Sequence, residues 1–259
     1  MRVISSGLEQ RKANQPVVIL ETGASEPGGS PMETWRRVFP EIARLAPVLA
    51  YERRGTGQSE GDGQRPTMRH VAQVLHSLLR EARIPPPYVL VGQSWGGNYV
   101  RAFLDQYPTE VVGLVFIDAA TGADPTREEK AAVVPLENRA ATLAPPVLPP
   151  IPSDTPPGLR AEFEEIGQEM ISDGQESRSL RPVSGVPIAI VVATPPARMQ
   201  GPSGAITRLI IQRQLELVMS VQHGILVTAN VGHWVHDHEP SLVASLVQYV
   251  LSHSPARGK

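Results

Sequence analysis

Short apolar runs recur along the chain, each closed by turn residues, with longer stretches between them that carry apolar side chains on one face. The first run, 17–20, ends in Glu21-Thr22-Gly23. Others cover 47–51, 88–91, 111–117, 186–193 and 225–228. Continuous apolar runs of this length predict strands buried on both faces of a parallel sheet. Between them, 67–84 places Met68, Val71, Val74, Leu75, Leu78 and Leu79 on one helical face, with Thr67 as N-cap and Pro85-Pro86-Pro87 as the stop. Helices are also predicted over 95–107, 205–221 and 241–251. Alternation of this kind predicts an α/β fold, a mostly parallel sheet flanked by helices with right-handed crossovers.

Residues 119–182 break the alternation. The segment is acidic and proline-rich, with Pro145-Pro146, Pro149-Pro150 and Pro156-Pro157 close together, which favours extended and turn conformations there. Helices are expected over 128–137 and 159–171. Because the strand pattern resumes afterwards and completes the same sheet, 119–182 reads as a cap inserted into a core made of 1–118 and 183–259, with Val147, Leu148 and Ile151 as an apolar lining.

Composition narrows the function classes. A net charge of −2 gives no electrostatic reason to expect nucleic acid or an anionic membrane as partner. The absence of cysteine excludes disulfides and thiolate chemistry. No apolar stretch approaches a membrane span, and the first residues lack a secretory pattern, so a cytoplasmic location is the expectation. Oligomeric state is not readable. Alternate residues of His236-Asp237-His238 point apart in an extended loop, so no metal is expected, and no cofactor.

The strongest local signal is Gly92-Gln93-Ser94-Trp95-Gly96-Gly97, between a strand run and a helix. Gly-x-Ser-x-Gly in that setting is the nucleophile elbow: a tight turn admits only small residues near the Ser and projects its hydroxyl above the sheet. Ser94 is the candidate nucleophile. A hydroxyl needs a base, and His233 follows the last strand run on the side of the sheet that Ser94 faces. His236 and His238 read as surface or helix-cap residues. The base needs an acid, and two strand ends could supply one. The run ending at Ala193 is followed by no carboxylate, whereas 111–117 is followed by Asp118; Asp118 is therefore the favoured acid, with Asp124 and Asp237 in reserve. The N–H groups of Ala24, in the turn Thr22-Gly23-Ala24-Ser25, and of Trp95 are the candidate oxyanion donors.

Taken together, these residues resemble the α/β-hydrolase superfamily over nearly the whole chain. Residues 52–59 resemble its acidic-x-Arg-Gly-x-Gly-x-Ser loop, 92–97 its elbow, 114–120 its sixth-strand segment and 232–236 its histidine loop. The resemblance implies an eight-stranded parent sheet, a cap between strands six and seven, and the chain order Ser94, Asp118, His233, with the acid after strand six. Departures are Thr22 where His is usual, Gln93 where His is frequent, and a short N-terminal segment that leaves room for fewer edge strands. The implied activity is that of a serine carboxylic-ester hydrolase acting on a small-molecule ester or lactone. The alternatives are carbon–carbon bond hydrolysis or proline-type aminopeptidase action at the same site, and a non-catalytic hydrolase-like binding protein. Epoxide opening and halide release are disfavoured, because those relatives carry Asp at the elbow.

Overall fold

The structure, a computed structural model, describes residues 1–24 and 32–255. Among them seven strands form one sheet: β1 Val3–Ser6, β2 Val17–Glu21, β3 Val48–Tyr51, β4 Tyr88–Gln93, β5 Val111–Ile117, β6 Ile188–Ala193 and β7 Gly224–Ala229, in the order β1-β3-β2-β4-β5-β6-β7. Six are the predicted runs, and all six lie parallel. The seventh, β1, pairs antiparallel with β3 at one edge. It is short and mostly exposed, so it lacks the apolar signature of the others.

The sheet is buried on both sides because its residues alternate between two cores. Val17, Ile19, Leu90, Leu114 and Phe116 face one way, toward α2 (Met68–Glu81) and α3 (Gly96–Gln106). Val18, Leu20, Val89, Val91, Val115 and Ile117 face the other, toward α1 (Phe39–Ala43) and α10 (Pro240–His253). Each such side chain contributes about 1.5–3 kcal/mol of burial, which is why near-continuous apolar runs are required. Thr67 caps α2 as expected, its hydroxyl accepting from the His70 N–H.

After β2 the chain crosses to β3 on one side, and β4 then returns to the other side of β2. Strand order reverses there, and the carboxyl ends of β2 and β4 lie side by side, with Glu21 paired to Gly92. Such a switch point opens a crevice above the sheet.

Between β5 and β6 the chain forms α4 (Arg127–Val133), α5 (Leu136–Leu143), α6 (Pro157–Ile171) and α7 (Gln175–Ser179). The single helix expected over 128–137 is two. Pro135 has no N–H to donate and forces Val134 into an extended conformation (φ −95°, ψ 158°). The prolines at 145–156 leave the segment before α6 without helix, as their density predicts. Val147 is 98% exposed, so it lines nothing. Downstream of β6 lie α8 (Gly201–Met219), which starts four residues before the predicted helix, and α9 (Val235–His238).

Helix α6 meets the loop after β3 at a contact between two backbones. A Cβ on Gly158 of α6 would lie 2.3 Å from Gly55 Cα, in the loop after β3. Gly158→Val should therefore lift α6 from that loop, and limited proteolysis should show faster cleavage within 119–182 than in the parent protein.

Candidate active site

The turn after β4 is tight for a visible reason. A Cβ on Gly96 would lie 2.5 Å from the Glu21 carbonyl oxygen, and one on Gly97 2.1 Å from that of Ala120. Small residues there let the N-terminus of α3 press against the ends of β2 and β5. Ser94 itself has φ +52°, a left-handed conformation rare outside glycine. Its backbone is pinned: its N–H donates to Ile117 O at 3.1 Å, and its carbonyl accepts from Ala120 N at 3.1 Å and Gly97 N at 3.2 Å.

Asp118, just past β5, also has positive φ, +41°. Its Oδ2 lies 2.6 Å from His233 Nδ1. A carboxylate only accepts, so Nδ1 carries the proton and Nε2 keeps its lone pair. Asp118 Oδ1 accepts from the Ala193 N–H at 3.0 Å, and Arg198 Nη1 lies 2.8 Å from both carboxylate oxygens. Burial pushes this carboxyl up, but His233, Arg198 and the Ala193 N–H outweigh it and hold it below the usual carboxylate range.

The free nitrogen of His233 meets Gln93, not Ser94. Gln93 Nε2 donates to His233 Nε2 at 3.2 Å, while Gln93 Oε1 accepts from the Gly23 N–H at 3.2 Å. Among the described residues no hydrogen bond joins Ser94 Oγ to the imidazole. The structure thus brings Asp118 and His233 into contact and sets Ser94 next in sequence to the residue on the imidazole's other nitrogen. Ser94, Trp95, Asp118 and Arg198 line one cavity of about 210 Å³.

The turn after β2 lies against the elbow: a Cβ on Gly23 would be 2.7 Å from Ser94 Cβ. With the Gly23 N–H taken by Gln93, the N–H groups of Ala24 and Trp95 are left without an acceptor among the described residues. Trp95 is the N-cap of α3. Ser25, in the same predicted turn, lies outside the described residues.

A buried guanidinium holds this turn. Arg53 Nη1 donates to Glu21 Oε1 (2.6 Å), Thr22 O (2.9 Å) and Thr22 Oγ1 (3.0 Å), and its Nη2 to Gly23 O (2.6 Å) and to Glu162 Oε1 of α6 (2.9 Å). The Tyr51 hydroxyl donates to Glu21, and the Tyr99 ring lies 4.9 Å from the guanidinium. Burial opposes the charge on Arg53, but the two carboxylates outweigh it and raise its pKa. Burial pushes the Glu21 carboxyl up against the pull of Arg53.

Other expectations resolve differently. Asp124 spends Oδ2 on the N–H groups of Thr121 and Gly122, and Asp237 pairs with Arg37 at 2.9 Å; neither reserve acid meets His233. His236 is a core residue, not a surface one: it is buried beside Trp35, with ring centroids 5.2 Å apart, and burial lowers its pKa to about 4. A second cavity, of about 470 Å³, is lined by residues of α4, α5, α6 and α7 and shares Trp95, Ala120 and Asp124 with the first. Neither Leu148 nor Ile151 lines these two cavities; Ala141, Ala144, Pro146 and Met170 line the second. A cavity of about 320 Å³ between α2, α6 and the loop after β3 holds none of the candidate residues. Among the described residues no cluster of three or more His, Asp or Glu could hold a metal, and no helix is long and apolar enough to cross a membrane.

Arg198 had no signal in the sequence, since an arginine after Pro195-Pro196 has no distinctive spacing. Glu162 reads there only as one more acid on a helix.

A doubly wound sheet with a serine elbow at its switch point and an aspartate–histidine pair at the carboxyl ends of β5 and β7 defines an α/β-hydrolase arrangement. Residues 23–246 match the alpha/beta hydrolase family, and the chain belongs to it. It is 31% identical over 121 residues, 45% of this chain and 41% of the relative, to a 2-hydroxy-6-oxo-2,4-heptadienoate hydrolase of Pseudomonas putida. The matches span less than half the length of such curated relatives. Among solved structures it is similar to the epoxide hydrolase CorEH, with a TM-score of 0.62 and 16% identity, over 96% of this chain and 94% of that one. It is similar too to the serine hydrolase CCSP0084 of Cycloclasticus zankles, with a TM-score of 0.61 and 16% identity, over 95% and 92% of the two chains. At that identity these structures share the fold.

Two outcomes follow from the electrostatics. Arg53→Met leaves Glu21 and Glu162 buried without their cation and should cost about 3–5 kcal/mol in urea unfolding. His236 stays neutral in the folded protein below the pH at which the unfolded chain protonates it. Its contribution is present above pH 6.5 and lost as pH falls toward about 4. The parent should lose roughly 3 kcal/mol more than His236→Phe over that window, read from unfolding at each pH.

Proposed function

We propose that the protein is a serine hydrolase that cleaves carboxylic esters, lactones included, through an acyl-enzyme. Ser94 is the nucleophile, His233 the general base and then acid, Asp118 its orienting carboxylate, and the Ala24 and Trp95 N–H groups the oxyanion donors. The observation that carries this reading is the 2.6 Å Asp118–His233 bond, which fixes the imidazole with its basic nitrogen toward the elbow that bears Ser94.

The sequence of events follows from those positions. His233 exchanges the Gln93 amide for the adjacent Ser94 hydroxyl; such bonds often form only with substrate in place. Ser94 Oγ attacks the carbonyl carbon as its proton passes to His233 Nε2, and Asp118 stabilises the imidazolium. The carbonyl oxygen becomes an oxyanion facing the Ala24 N–H, in the turn after β2, and the Trp95 N–H at the positive end of α3. The intermediate collapses, the C–O bond to the alcohol breaks, and the alcohol takes the proton from His233. Water, deprotonated by the same imidazole, then releases the acid and restores Ser94.

A second reading, carbon–carbon bond hydrolysis, draws on the similarity to the heptadienoate hydrolase. Turnover of a ring-fission dienoate in preference to simple esters would favour it.

Fluorophosphonate should add one label to the parent protein, on the peptide holding Ser94, and none to Ser94→Ala. That substitution should also reduce p-nitrophenyl butyrate hydrolysis at least ~10³-fold. A parent protein inert to both reagents would point instead to a ligand-binding relative.

A further inference from the structure

The cavity of about 470 Å³ is walled at the elbow end by Trp95, Ala120 and Asp124, and elsewhere by further charged groups of α4, α6 and the residues after α6. Its volume suits one arm of a small molecule. The charges are unequally committed. Asp124 Oδ2 accepts from the Thr121 and Gly122 N–H groups at 2.8 and 3.1 Å. Glu169 accepts from the Ser177 and Glu176 N–H groups at 2.7 and 3.0 Å. Asp173 accepts from the Arg127 N–H at 3.1 Å and pairs with Arg127 and Arg178. Glu169 and Asp173 use both carboxylate oxygens on their own surroundings, and Asp124 uses Oδ2.

Lys130 is different. Among the described residues its ammonium has no hydrogen bond and no ion pair, although it is only partly exposed and lines the cavity. Arg127, three residues earlier on α4 and so on the same face, has a buried Nη1 with no partner. Unspent donors in a partly desolvated pocket favour an acceptor with negative charge.

We propose that this cavity is a subsite for a carboxylate-terminated arm of the substrate, with Lys130 as the principal contact and Arg127 beside it. The inference rests on the ester-hydrolase reading and narrows it to esters with an apolar chain ending in a carboxylate, such as hemiesters of dicarboxylic acids. Trp95, Ala120 and Asp124 line both this cavity and the one holding Ser94, so the two adjoin beside the elbow.

The test compares mono-p-nitrophenyl adipate with p-nitrophenyl hexanoate, which has the same six-carbon chain without the terminal carboxylate. The parent should favour the adipate in kcat/KM by about tenfold or more, less so at high salt. Lys130→Met should abolish that preference through KM while leaving the hexanoate within about twofold, and Lys130→Arg should keep most of it. Equal use of the two esters by the parent, or a preference unchanged in Lys130→Met, would overturn the subsite. Hydrolysis of neither ester would instead count against the ester-hydrolase reading. Calorimetric binding of monomethyl adipate to Ser94→Ala decides the subsite independently of turnover: about tenfold weaker binding on adding Lys130→Met supports it, and no binding, or equal binding, sinks it.

Discussion

The Arg53 guanidinium is the tie on which the arrangement above the sheet depends. It is buried among two carboxylates, two backbone carbonyls and an aromatic ring, and these come from the end of β2, the turn after it, α3 and α6. A planar fork with five donors can satisfy that many acceptors, whereas an ammonium could not. The desolvation cost is large, and pairing with Glu21 and Glu162 offsets it only because every direction is used. The turn that carries Ala24 and the helix α6, which lines the cavity of about 470 Å³ at Glu169 and Met170, are therefore tied to the same side chain.

The second constraint is backbone packing around Ser94. Gly23, Gly96 and Gly97 each stand where a Cβ would strike a neighbouring main chain or the elbow itself. Their absence of side chains lets the ends of β2, β4 and β5 and the start of α3 pack closely around Ser94. The left-handed conformations of Ser94 and Asp118 persist because neighbouring strands grip both: Ile117 and Ala120 hold Ser94, and Val191 O accepts the Asp118 N–H at 2.8 Å.

What the sequence made legible follows from what has a period or a spacing. Buried parallel strands such as 88–91 and 111–117 announce themselves because both faces are apolar, and the elbow because its turn admits few residue types. β1 escaped because an exposed edge strand of four residues needs no apolar pattern. The break at Val134 was available in principle from Pro135 but was masked by good helix formers on either side. Arg198 and Glu162 act through tertiary contacts to residues 80 and 109 positions away, for which a single sequence holds no signal. The burial of His236 is of the same kind, since nothing local distinguishes it from His238.

Gln93 holds the imidazole nitrogen that Asp118 leaves free, and it does so with a weak bond. An uncharged amide on the imidazole contributes about 0.5–1.5 kcal/mol net, and water or substrate can replace most of that. A carboxylate in its place would have made an ion pair with the protonated ring and held it more firmly. The carboxamide also keeps its other end on the Gly23 N–H, so it shields the lone pair without adding charge to the crevice. The free nitrogen of His233 is thereby covered by a neutral neighbour that an arriving guest can displace at small cost.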